Sequence, residues 1–279
     1  MPAIPVSPVL FHRLLPLPEI DAMNAQQQII ALQTIVTKEV RRFLRIWPQT
    51  LLPPAITVTL YFLIFGNLIG DRIGDMDGHK YMEFIVPGLI MMMVITNAYS
   101  NVVSSFFSTK FQRSVEEMLV SPMPNYIVLG GFVLGGIARG LAVGFIVTII
   151  ALFFADLGVH SVVVTATILL LTATLFSLGG FINAVYARTF DDISIVPTFV
   201  LTPLTYLGGV FYSLHLLPPF WKAVSLANPI VYMVNGFRAG ILGSSNVSLM
   251  TTYSILMACI AVMTVWAYYL LESGKGLRQ

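Results

Sequence analysis

Six stretches of this 279-residue chain are each long and apolar enough to cross a bilayer, and nothing else in the sequence constrains the fold as strongly. They run near Trp47–Gly70, Phe84–Ser108, Gly135–Ala155, Ser161–Ala187, Ile193–Ser213 and Leu249–Leu271. A hydrocarbon core about 30 Å thick is crossed by roughly 20 apolar residues in one helix. Within that core every backbone amide and carbonyl needs a partner inside the protein, which favours helices. The chain is 57% hydrophobic and 10% charged, with a mean hydropathy of +0.84, whereas soluble domains carry about 25% charged residues. The expectation is an all-α integral membrane protein with six transmembrane helices.

Charge placement orients it. Lys38, Arg41, Arg42, Arg45, Lys110, Arg113, Arg188, Lys275 and Arg278, with Arg13 in the tail, fall on one side, against Arg72, Lys80, Lys222 and Arg238 on the other. Basic loops stay on the cytoplasmic side, so both termini are expected there. The single cysteine, Cys259, lies in the last stretch and supports neither a disulfide framework nor a cysteine metal site. Residues 1–25, with prolines at 2, 5, 8, 16 and 18, read as a disordered tail, and 26–279 as one transmembrane domain. The tail has no basic leader followed by an apolar core, the pattern of a cleaved signal. Helical periodicity begins only beyond it, which raises Met23 as a start site that N-terminal sequencing would check.

Ahead of the first span, Ile29, Leu32, Val36, Val40, Phe43 and Trp47 recur at spacings of three and four. At about 100° per residue they share one helical face. Lys38, Arg41, Arg42 and Arg45 fall opposite, so this segment reads as an amphipathic helix in the membrane interface. It is either an anchor alone or an elbow that also touches a cytoplasmic partner. Residues 71–80 carry three aspartates but lack the closing glutamate of a calcium loop, and read as a solvated outer turn. After the second span, Lys110–Pro124 mixes charged and apolar residues at helical spacing and stops at two prolines, giving a short cytoplasmic helix. As one helix, Asn125–Ala155 would be about 46 Å long, more than a bilayer core. The third span is therefore placed from Gly135, with the residues before it at the interface. Arg139, the one intramembrane basic residue, then lies near the cytoplasmic end, where it snorkels or pairs within the protein. Asp191 and Asp192 suit the amino end of the fifth span as helix caps. The stretch Leu214–Gly243 is too broken to span and too apolar for an exposed loop, which suggests a re-entrant helical hairpin on the outer face.

Several chemistries are missing. No Gly-x-x-x-x-Gly-Lys-Ser/Thr run is present to hold ATP. The four histidines fall in four separate segments, and no catalytic motif or metal constellation is visible. No span carries a central carboxylate of the kind that ion-coupled carriers use. The energy for any transport is expected to come from another subunit, and no cofactor is expected.

The segment after the fifth span carries small residues Gly208 and Gly209, the turn Leu217-Pro218, then Pro229-Ile230, Tyr232 and, six positions on, Arg238. In order and spacing this resembles the permease subunit of ABC-2 type transporters, and the likeness extends from about Ile29 to Arg278. The resemblance implies a half-transporter in a bacterial inner membrane: two copies of this chain as a homodimer, with two copies of a separate ABC ATPase subunit. It implies that Arg113, Glu116, Glu117, Met118 and Leu119 form the coupling helix that meets the ATPase. The outer hairpin, marked by Gly209, Pro218, Pro229, Tyr232 and Arg238, would close the pathway, with Asn97, Asn101, Phe199 and Tyr206 expected to face it. The loop Glu116–Pro122 lacks the Glu-Ala-Ala pattern of bacterial importers, so export of a hydrophobic or amphiphilic substrate is favoured. A membrane anchor or assembly module for an ATPase complex, moving nothing, would share the fold and remains open.

Overall fold

The computed structural model describes residues 23–276. The expected disordered tail and the question of a start at Met23 concern residues 1–22, which lie outside that range.

The first helix, α1 (Ala25–Arg45), starts at a reciprocal cap. Asn24 Oδ1 accepts from the Gln27 amide at 2.9 Å, and Gln27 Oε1 accepts from the Asn24 amide at 2.8 Å. Its packed face differs from the expected apolar line. Ile35, Glu39 and Phe43 are buried, while Ile29 and Trp47 at the ends of that line are exposed. The packed row is rotated toward Glu39 because α1 lies against another helix, not only against an interface.

The first crossing is broken: α2 (Trp47–Thr50) and α3 (Leu52–Tyr61) continue as a π-helical stretch, Phe62–Leu68, and end in α4 (Gly70–Ile73). The turn read as solvated is a small antiparallel hairpin, β1 (Asp75–Met76) with β2 (His79–Lys80). It is the only strand pairing among the described residues. The long α5 (Tyr81–Phe111) follows, then the short α6 (Ser114–Val120), α7 (Asn125–Ala151) and α8 (Val162–Tyr186). α7 is one unbroken helix, so the residues placed before a third span at Gly135 belong to the same helix and run alongside α1.

The segment expected as a fifth span is a helical run of three pieces: α9 (Asp192–Val196), a π-helical turn (Pro197–Leu201) and α10 (Thr202–Tyr206). Proline explains the irregularity, since Pro197 has no amide to give the Ile193 carbonyl. Asn183 Nδ2 donates to that oxygen at 3.4 Å instead. The expected outer hairpin is α11 (Pro219–Leu226) followed by α12 (Pro229–Leu242), and the last long helix is α13 (Leu249–Ser273). Among the described residues five helical stretches are long and apolar enough to cross a membrane: Trp47–Gly66, α5, α7, α8 and α13.

α5 is the axis of the fold. α7, α8 and α12 pack around it, α1 lies on α7, and α13 lies on α8. Phe106 of α5 contacts Phe132 of α7 edge-on at 5.1 Å and Phe181 of α8 at 4.2 Å between ring centroids, joining three helices at one level. The first crossing and the run 192–206 are packed far less. Ile56, Leu60, Ile195 and Phe199 all point outward.

Candidate functional site

At the end of the molecule that carries α6, three features meet. Arg113 turns the chain in the left-handed region (φ 61°), a conformation that costs a non-glycine residue about 1–2 kcal/mol. The turn sets α6 across the end of α5. Val115 is buried and Met118 and Leu119 are half-buried against the core, while Glu116, Glu117 and Val120 (79% exposed) face away from the chain. The helix is thus anchored on one face and open on the other.

Beside it, Lys110 of α5 is buried and donates from Nζ to the carbonyls of Val185 at 2.6 Å and Ala187 at 2.7 Å. These carbonyls are at the carboxyl end of α8, where helical acceptors lack partners and a cation is favoured. The next turn is closed by Asp192, whose Oδ2 accepts from the amides of Arg188 at 2.8 Å and Thr189 at 3.1 Å. Thr189 Oγ1 accepts from the Asp192 amide in return. The Arg188 amide, then Thr189, holds the Asp192 carboxyl below the usual carboxylate range. Asp191, named with it as a cap, makes no capping bond from its side chain.

A polar seam runs between α1, α5 and α7. Glu39 is fully buried, accepts from Ser105 Oγ at 2.6 Å and pairs with Arg42 at 3.3 Å. Arg42 Nη2 donates to both the side-chain and the main-chain oxygen of Asn101, each at 2.9 Å. One turn along α5, Asn97 Oδ1 accepts from Arg139 of α7 at 3.1 Å, and its amide donates to the Met93 carbonyl. Asn97 and Asn101, expected to face a pathway, are therefore enclosed within the chain as braces between helices. Phe199 (73% exposed) and Tyr206 lie on the open face of the run 192–206. The Tyr206 hydroxyl is 3.3 Å from that of Tyr61 in the first crossing.

At the opposite end, the residues Gly209, Pro218, Pro229, Tyr232 and Arg238 organise the hairpin. Pro218 precedes α11, and Pro229 opens α12 behind an Asn228 cap. Tyr232 donates to the Leu226 carbonyl at 2.8 Å, linking α12 to α11. Arg238 is buried, lies 3.7 Å over the Phe84 ring centre and donates to the carbonyls of Phe84 and Gly209. Gly209 holds a left-handed backbone (φ 73°), which turns its carbonyl toward the guanidinium. The β1–β2 turn joins this end through Asp77, whose Oδ2 accepts from Ser213 Oγ at 2.7 Å and Asn246 Nδ2 at 3.0 Å.

Glu39 and Lys110 escaped the sequence reading. Glu39 sits off the expected apolar line, and its partners are remote in the chain. Lys110 looked like a loop cation, and its place as the last charged residue of an apolar run was the available signal.

Residues 30–242 match the family described as ABC-2 type transporter. The chain is 62% identical over 249 residues to the Inner membrane transport permease YadH of Escherichia coli (strain K12), covering 89% of this chain and 97% of that one. It is 23% identical over 208 residues to Nodulation protein J of Neorhizobium galegae, covering 71% of this chain and 76% of that one.

Proposed function

The chain belongs to the ABC-2 type transporter family, and from that premise we propose that it is the membrane permease subunit of an ATP-driven exporter in a bacterial inner membrane. α6 carries the proposal: a short helix fixed to the core by Val115, with Glu116, Glu117 and Val120 turned outward and no cover from the described chain. We assign this face, led in by Arg113 and backed by Met118 and Leu119, to a separate YadG-like ABC ATPase, with ATP hydrolysis confined to that subunit. Such a helix passes a push to α5 and α7 without absorbing it in loop freedom.

Two copies of the chain would pair through the first crossing and the run 192–206, where Ile56, Leu60, Ile195 and Phe199 are exposed. Pairing of identical surfaces closes a twofold dimer. In this reading the six crossings expected from the sequence are kept, with Ile193–Ser213 as the fifth, Asp192 at its cytoplasmic mouth, and α11–α12 as a re-entrant hairpin. Both termini and α6 are cytoplasmic in this reading. Phe199 and Tyr206 face the pathway, while Asn97, Asn101 and Arg139 brace its wall. The cargo is hydrophobic or amphiphilic.

Affinity purification of the tagged chain from membranes, with mass spectrometry of what stays bound, tests the assignment. A P-loop ATPase at a stoichiometry of one per permease, together with ATP-dependent release of an amphiphile from reconstituted vesicles, is the expected result. An ATPase bound without any ATP-dependent release would favour the assembly-module alternative, and a chain recovered alone would remove the coupling role from α6.

A further inference from the structure

A cavity of about 480 Å³ lies between α5, α8, the run 192–206, the start of α12 and α13. Its deep wall is apolar and buried, with Phe176 of α8 and Ile230 of α12 among the lining residues. Its rim is formed by Tyr186 and Trp266, both exposed, with Trp266 Nε1 donating to the Tyr186 hydroxyl at 3.3 Å. A water molecule needs two to four polar partners to occupy a cavity, and this wall offers too few. The flanking helices α8 and α13 are among the most apolar in the chain and are little covered by it. What reaches the opening is therefore membrane lipid.

One polar group borders the wall. Tyr99 of α5 is only 2% exposed and lines the cavity, and the Asn183 side chain approaches its buried hydroxyl. Its ring edge passes 3.7 Å from the position a Gly179 Cβ would take. That places the ring one turn before Asn183, which shares the wall and lies within one turn of the end of α8 at Tyr186. The Tyr99 ring thus lies about 10 Å along α8 from the Tyr186–Trp266 pair, and aromatic residues like that pair mark the border between hydrocarbon and headgroups. Lipid ester carbonyls sit at that border. From there the cavity runs toward Cys259 and Pro229, deeper along α13 and α12.

We infer that this cavity is a binding site for one acyl chain of a glycerophospholipid from the cytoplasmic leaflet, its methylenes along the apolar wall and its ester end at the Tyr186–Trp266 rim. The leaflet rests on the orientation proposed above, whereas the site and its chemistry do not. The site lies within one protomer, on the inner side of the run 192–206 that also forms part of the proposed dimer face. A bound chain would wedge against the proline-broken run 192–206, whose Val196, Val200, Leu201 and Leu204 form its third wall.

The full chain is reconstituted in phosphatidylethanolamine–phosphatidylglycerol vesicles carrying a trace of phosphatidylglycerol with a diazirine on its acyl chain. It is then irradiated and the adducts are mapped. Adducts should concentrate on the α13 segment from Cys259 to Trp266 over the exposed lipid-facing Phe145 of α7. Gly179→Leu, which fills the cavity from one wall, or Cys259→Trp, which fills it from another, should abolish that excess and leave labelling at Phe145 unchanged. Equal labelling at both places would reduce the cavity to ordinary lipid contact. Cross-linking of two chains through Cys259 would assign it to a second copy. Each of these overturns the inference. None requires the ATPase to bind, so failure here is separable from failure of the transport reading.

Discussion

Gly135 of α7 faces Glu39 of α1 so closely that a methyl group on the glycine would lie 2.5 Å from the Glu39 Cβ. The missing side chain is what allows α1 to lie flat on α7 and carry a carboxylate into the seam, since small residues let helix backbones approach in membrane proteins. Gly135→Ala should push α1 away and stretch the Glu39–Ser105 bond. Overpacking of this kind costs about 1–3 kcal/mol. The expected result is a lower melting temperature in detergent and faster proteolysis within α1. An unchanged melting curve would show that α1 is not held by this approach.

Glu39 itself predicts a graded response. Glu39→Gln keeps the shape and one acceptor for Ser105, but leaves Arg42 without its anion. Glu39→Leu removes the acceptor as well. Breaking a buried ion pair from one side costs about 3–5 kcal/mol, and the Arg42 side chain is 26% exposed, so a smaller loss is expected here. Denaturation should rank wild type above Gln above Leu. Restoration of the Leu variant by Arg42→Leu would show that the penalty comes from the unpaired guanidinium.

Lys110 ties the end of α5 to the end of α8 through two carbonyls. Hydrogen bonds to a charged group contribute about 1.5–3 kcal/mol, and the loss leaves buried acceptors unpaired. Lys110→Met should destabilise the chain and increase hydrogen exchange at Val185–Thr189, with the opposite end near Arg238 unaffected. Uniform exchange changes at both ends would mean that Lys110 acts on global stability alone.

Much of this architecture was open to inspection in the sequence, for physical reasons that differ by element. The long apolar runs show because a bilayer sets both length and composition, and the hairpin region shows because its prolines and Asn228 break periodicity. The run 192–206 shows in the sequence as apolar but not as broken, because the break comes from Pro197 and Pro203, which withdraw amides that an uninterrupted helix needs. Glu39 could not be found from pattern, since its partner Ser105 is sixty-six positions away. Asn97 and Asn101 looked like pathway residues for the same reason: polarity in a span marks either cargo or a partner side chain, and only packing decides which.

Arg238 is held by the Phe84 ring and two carbonyls, so charge alone does not explain its place. A lysine offers a point charge where a planar fork is needed. Arg238→Lys and Arg238→Ala should both loosen the α12 contact with Gly209 and lower transport, while association with the ATPase at the far end is retained. Loss of association would mean that this end is needed for assembly of the whole chain.

The turn at Asp192 predicts a pH dependence with a definite sign. Amides of Arg188 and Thr189 favour the ionised carboxylate, so its value in the folded turn lies below the usual one, about 4. Its contribution is fully present above that usual value and is lost as pH falls through the depressed one. The protection of the Arg188 and Thr189 amides, with the intrinsic exchange rate divided out, should therefore hold at neutral pH and fall only in acid. Asp192→Asn should show the acid behaviour at every pH, and equal protection in the two proteins would assign the turn to Thr189 alone.

Glu117 stands on the open face of α6, away from every contact that holds the helix in place. Glu117→Lys reverses its charge without touching Val115, Met118 or Leu119, so folding and membrane insertion should be unchanged. If α6 meets the ATPase, transport should fall and ATP hydrolysis should no longer respond to the permease. Arg113→Gly supplies the contrast, because glycine accepts the left-handed turn with no steric penalty. That variant should keep the position of α6 and lose only the guanidinium. Transport preserved in the glycine variant and lost in the lysine variant would locate coupling on the exposed carboxylate face, and normal transport in both would move it elsewhere.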